Sequence, residues 1–140
     1  MVGAVILASG AVGVSTASAC VPPFPVAAYV FANDPTLPGP QLPGQFQVVG
    51  SGDLQMQDNY CNATTYTIMN TKVCGFFGCS YEDWAESPHI QAGTGDNWTT
   101  VQLQCRPGTN RYWTEQVEIL PGTPANPQDA WSPGQPEFTC

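Results

Sequence analysis

Proline placement constrains this chain more than any other feature. Residues 20–44 hold Pro22, Pro23, Pro25, Pro35, Pro38, Pro40 and Pro43, and residues 121–140 hold Pro121, Pro124, Pro127, Pro133 and Pro136. Proline lacks an amide donor and clashes inside a helix, so neither stretch suits a helix or the middle of a sheet. Both are expected as extended arms, with 27–31 (Ala-Ala-Tyr-Val-Phe) the one strand candidate in the first and no ladder in the second. Cys140, at the end of the tail, suggests that the tail is tied down.

Residues 45–120, between the arms, repeat with a period of two. Phe46 and Val48 alternate with Gln45 and Gln47, and Leu54 and Met56 with Gln55 and Gln57. Gly50-Ser51-Gly52-Asp53 between them reads as the turn of a hairpin. Residues 64–70, β-branched and aromatic, read as a strand. Val101, Leu103 and Cys105 alternate with Gln102 and Gln104, then Arg106-Pro107-Gly108-Thr109-Asn110 reads as a turn. Beyond it Trp113, Val117 and Ile119 share one phase and Thr114, Gln116 and Glu118 the other, so the first set is expected to face a core. Only Tyr81 to Glu86 fits a helical turn, ended by Pro88. The expected fold is all-β: an antiparallel β-sandwich or partly open barrel, disulfide-stabilised, with proline-rich N- and C-terminal arms.

The segment Val-Gln-Leu-Gln-Cys-Arg-Pro-Gly-Thr-Asn-Arg-Tyr-Trp-Thr, 101–114, resembles the terminal hairpin of small, uncharacterised secreted disulfide-containing β-proteins of actinomycetes. The low lysine count and an Ala/Gly/Val-rich leader fit such a source. The resemblance implies no activity.

Val2 to Val14 are apolar or small and are followed by Ala17-Ser18-Ala19, a small-x-small cleavage pattern. About 20 apolar residues are needed to cross a bilayer, so residues 1–19 read as a secretory signal without its basic start, not as a membrane span. A lipid on Cys20 is the minor alternative, because Ala17 stands where a strong lipoprotein signal carries leucine. Secretion fits six cysteines, an even number suited to full pairing. Cys105 shares the inward phase, and Cys61 is its expected partner across the core. Cys74 and Cys79 invite a local bridge, which leaves Cys20 with Cys140.

Charge removes one class of partner. The chain carries three Lys and Arg against eleven Asp and Glu, a net charge of −8, so nucleic acid is excluded as a ligand. One histidine and a single close cysteine pair do not make a metal cluster, and no cofactor is expected. His89 reads as a solvated loop histidine; Ser80 or Ser87 with an acid would complete a triad, but no Gly-x-Ser-x-Gly accompanies them. Glu82, Asp83 and Glu86 form the densest acid group and read as a solvated turn, with calcium or a glycosidase pair as the sharper alternatives. Asn62-Ala63-Thr64 and Asn97-Trp98-Thr99 match glycosylation acceptors. Phe76 and Phe77, between two glycines, either fold back onto the core or form a contact tip that Tyr81 and Trp84 extend. Among the four tryptophans, Trp113 belongs to the core phase, while Trp98 and Trp131 are freer to stack on sugar rings. The expected function is a secreted or cell-surface, non-enzymatic binding protein for an extracellular protein or glycan. Its alternatives are an inhibitor of extracellular hydrolases, with the 74–79 loop docking, and a carbohydrate-binding module. An enzyme using Glu82, Asp83, Glu86 or His89 is the most distant reading.

Overall fold

The computed structural model describes residues 12–18, 27–38, 46–57, 63–119 and 128–140. They contain strands only: β1 (Val12–Ser18), β2 (Ala27–Asn33), β3 (Gln47–Met56), β4 (Thr64–Gly75), β5 (Gly78–Glu86), β6 (Ile90–Gln91), β7 (Gly95–Gln104), β8 (Thr109–Ile119), β9 (Gln128–Trp131) and β10 (Glu137–Thr139). All pairings among them are antiparallel. One sheet runs β1-β2-β3-β7 and the other β10-β8-β4-β5, with β6 on β4 and β9 on β8. They curl against one another as a half-barrel, so the expected fold class holds. No described helix is long and apolar enough to cross a membrane. Cys20, Cys61 and most of the first arm lie outside the described residues, as does the rest of the leader. Val12–Ser18, within the segment read as a leader, is β1, paired with β2.

Four local expectations are corrected. Gly50-Ser51-Gly52-Asp53 is no turn: β3 runs straight through it. A Cβ on Gly50 would meet the Met69 and Thr114 side chains, and one on Gly52 would come within 2.6 Å of the Phe31 carbonyl oxygen. These glycines mark close approach of neighbouring chain, not a bend. Residues 101–119 are no hairpin either, because β7 pairs with β3 while β8 pairs with β4. The chain crosses between sheets after Cys105. Tyr81 to Glu86 is strand, with a register shift opposite Asn70/Thr71. The tail does build a ladder: β9 lies between Pro127 and Pro133, β10 follows Pro136, and the Pro136 carbonyl accepts the Tyr112 amide (3.1 Å).

The phase of β8 is also the reverse of the expected one. Tyr112, Thr114, Gln116 and Glu118 point into the half-barrel and are fully buried. Opposite them in register stand Thr71, Met69, Thr67 and Thr65 of β4. Val48, Met69, Val101, Cys105 and Tyr112 form one apolar cluster, and Val30, Ala32, Leu54, Met56, Ala63, Ala92 and Ala130 another. Polar contacts join the sheets. Gln116 Nε2 donates to Thr65 Oγ1 (2.7 Å) and Thr99 Oγ1 (3.0 Å), and its Oε1 accepts from Thr67 Oγ1 (2.5 Å). Trp113 and Val117, in the other phase, are buried as well, on the outer face, with β9 hydrogen-bonded along the edge of β8.

Cys105 is buried as expected, but its partner is Cys140, not Cys61, which also overturns Cys20–Cys140. The cause is the β10–β8 pairing. Gly108 and Cys140 exchange backbone hydrogen bonds (3.0 and 3.3 Å), which sets the last residue beside the end of β7. Cys79 is disulfide-bonded, and its cross-strand neighbour is Cys74. No described cysteine is free. Such bridges persist in an oxidising environment.

Candidate functional site

The outer face of the β10-β8-β4-β5 sheet gathers aromatic and polar side chains. Alternation along β4 sends Tyr66, Ile68 and Asn70 outward together. Register then aligns Trp84, Asn70 and Trp113 in one row across three strands, and Glu86, Ile68, Glu115 and Trp131 in the next across four. A third row holds Tyr66, Val117 and Asp129.

A cleft of about 320 Å³ opens at this face, lined by Asn70, Trp113, Trp131 and Gln135. Its volume is that of a small-ligand site. Trp131 is 49% exposed, whereas Trp113 is 4% exposed. The Asn70 Nδ2 donor is buried without a partner. An unpaired buried donor costs free energy that a ligand oxygen would recover. The Trp131 indole N–H donates to Asp129 Oδ2 (3.2 Å), which fixes the ring beside the cleft.

The acids beside it are unusual. Burial, then a hydrogen bond with Asp129 and the charge on Asp129, push the Glu115 carboxyl up to about 8. Glu115 therefore keeps its proton at neutral pH, donates it to Asp129 and leaves its other oxygen to accept. Tyr66 is raised above its usual range by burial and by Glu86 and Glu115. His89 stacks on Tyr66 (centroids 3.8 Å apart) and contacts Glu86, so it borders this face.

The sequence candidates separate in space. Trp84, 65% exposed, stands in the aromatic row. Phe76 and Phe77 are 96% and 98% exposed at the tip of the β4–β5 hairpin, which overturns the core reading for them. Tyr81 is placed on β5 by its backbone alone. Trp98 is exposed on the other sheet, so it is no partner for Trp131. Ser87 is buried, accepting from the Thr67 amide and donating to the Pro88 carbonyl, away from any triad role. Glu86 contacts His89, and the side chains of Glu82 and Asp83 lie outside the described residues. The Asn97 side chain is engaged by its own turn and by the Leu54 carbonyl (2.9 Å), so that acceptor is occupied; Asn62 lies outside the described residues. No group of three or more metal-ligating side chains occurs among the described residues. Sequence reasoning missed Asn70, Glu115 and Asp129, which only the strand register brings together, and Gln135, which the chain between β9 and β10 brings to the cleft.

No family model, curated protein or solved structure matches this chain.

Proposed function

We propose that this chain is a secreted, non-enzymatic binding protein that takes a neutral glycan on the outer face of its larger sheet. The cleft beside the half-exposed Trp131, with the buried Trp113 in its lining, supports this reading best. The C–H faces of a sugar ring pack on indole faces, while its hydroxyls reach amide and carboxyl groups. Asn70 and Gln135 of the lining supply amides, and Glu115, opposite Trp131 in register, adds a carboxyl beside the cleft. Asp129 and Glu86 beside the cleft disfavour an anionic sugar. Retention on insoluble cellulose and chitin tests the reading. The wild-type protein should be retained on at least one, and Trp131→Ala should weaken retention at least tenfold. Because Trp131 is half-exposed, that variant should keep its thermal midpoint within a few degrees. Failure of the wild-type protein to bind either material, or undiminished retention of the variant, would reject the glycan face.

A further inference from the structure

The β4–β5 hairpin carries a second surface, independent of the glycan reading. Every residue from Gly75 to Ser80 is exposed, so the tip projects from the body. The Phe76 and Phe77 rings meet edge to face at 5.2 Å. A Cβ on Gly75 or Gly78 would find nothing within 4 Å, so open space flanks the tip. Gly78 has a φ of 118°, the left-handed turn conformation that glycine tolerates.

Charge is distributed around this tip in an unexpected way. The chain has three basic side chains in all, and the register brings two of them, Lys72 and Arg111, to this end of the sheet. Lys72 of β4 stands directly opposite Arg111 of β8, and Arg106 lies in the turn that leads into β8. From Lys72 to Tyr81 there is no acid, although the chain carries eleven. The nearest acids by register are Glu82, opposite Thr71, and Glu137, which pairs with Arg111 (3.0 Å). An apolar tip backed by cations on an otherwise acidic protein fits a surface that is oily inside and negative outside.

We propose that the hairpin tip docks on a lipid bilayer, with Phe76 and Phe77 seated in the interface and Lys72 and Arg111 facing anionic headgroups. Dimensions agree. Four residues of strand separate Lys72 from Phe76 by roughly 13 Å. Interfacial elements sink about 5–10 Å, which leaves the Lys72 side chain within reach of the phosphates. Area argues against a protein partner. Two phenylalanines offer roughly 300–500 Å², short of the roughly 800 Å² per side of a specific protein interface. A bilayer needs no matching shape.

Co-sedimentation with phosphatidylcholine vesicles, and with equimolar phosphatidylcholine and phosphatidylglycerol, tests this. The wild-type protein should pellet preferentially with the anionic vesicles. F76S/F77S should lower its partition coefficient at least tenfold, with an unchanged thermal midpoint and unchanged glycan retention. K72Q/R111Q should remove the preference for phosphatidylglycerol. The proposal is overturned if the wild-type protein stays in the supernatant, if F76S/F77S pellets like wild type, or if both vesicle types bind equally. A lowered midpoint in F76S/F77S would return the rings to a packing role and overturn it as well.

Discussion

Replacing Glu118 by glutamine should make this protein more stable above neutral pH and leave it unchanged in acid. Glu118 is fully buried, and neither carboxylate oxygen has a hydrogen-bond partner. The Thr65 hydroxyl opposite is committed to the Val117 carbonyl (2.7 Å) and to Gln116 Nε2 (2.7 Å). Burial alone therefore pushes the Glu118 carboxyl from 4.5 to about 7. A raised folded-state pKa means that the proton is held more tightly in the folded chain. Stability is then fully present below the unfolded value of 4.5, is lost as pH rises toward about 7, and is level beyond it. At roughly 1.4 kcal/mol per pH unit, the loss is about 3 kcal/mol. Glutamine has nearly the same shape and no charge to desolvate, so E118Q should match wild type near pH 4 and exceed it by about 3 kcal/mol near pH 8. Asp53, raised to about 6, and Glu115, raised to about 8, slope the same way and persist in the variant. The difference between the two proteins thus isolates Glu118. Urea unfolding of the oxidised proteins across this range measures it. Parallel curves, with equal losses in both proteins, would show that the Glu118 carboxylate is not desolvated.

Other outcomes follow from the same packing. Removing the Cys105–Cys140 bridge, which closes a separation of 35 residues, by C105A/C140A should cost about 4 kcal/mol in the chain-entropy model, read from denaturation midpoints of the oxidised proteins. Gln116→Leu should cost about 1–3 kcal/mol by removing the amide that the hydroxyls of Thr65, Thr67 and Thr99 share, measured by chemical unfolding. Gly52→Ala should cost about 1–3 kcal/mol because its methyl would press on the Phe31 carbonyl, and a thermal melt within a degree of wild type would contradict that packing. Export of the chain with a basic leader should yield a mature N-terminus at Cys20 by intact mass, a cleavage that also removes β1 and leaves β2 at the sheet edge.

By itself the sequence determined the class of the fold. Alternation in 46–48, 54–56 and 101–105, the β-branched run at 64–70 and the lack of a sustained helical period leave only antiparallel sheet, and all of these residues but Phe46 and Cys105, at the strand ends, are strand. It also determined that Cys105 faces inward, since its phase with Val101 is local and survives any choice of partner strand. What it could not determine is which strand lies beside which, because pairing is a long-range choice that neighbours in sequence do not encode. Val101 to Ile119 looks like a hairpin until β3 and β4 are seen to claim its two halves. The same limit misread β8. Its apolar phase, Trp113 and Val117, is buried on the outer face, while its polar phase lines the interior. Hydropathy reports that a residue avoids water but not which of two covered faces shelters it. The half-barrel admits Thr114, Gln116 and Glu118 because Thr65, Thr67 and Thr99 and the small residues Gly50 and Gly52 meet them there. The glycan face has the same origin: Asn70, Trp84, Trp113 and Trp131 come from four strands, and only hydrogen-bonded register sets them in adjacent rows.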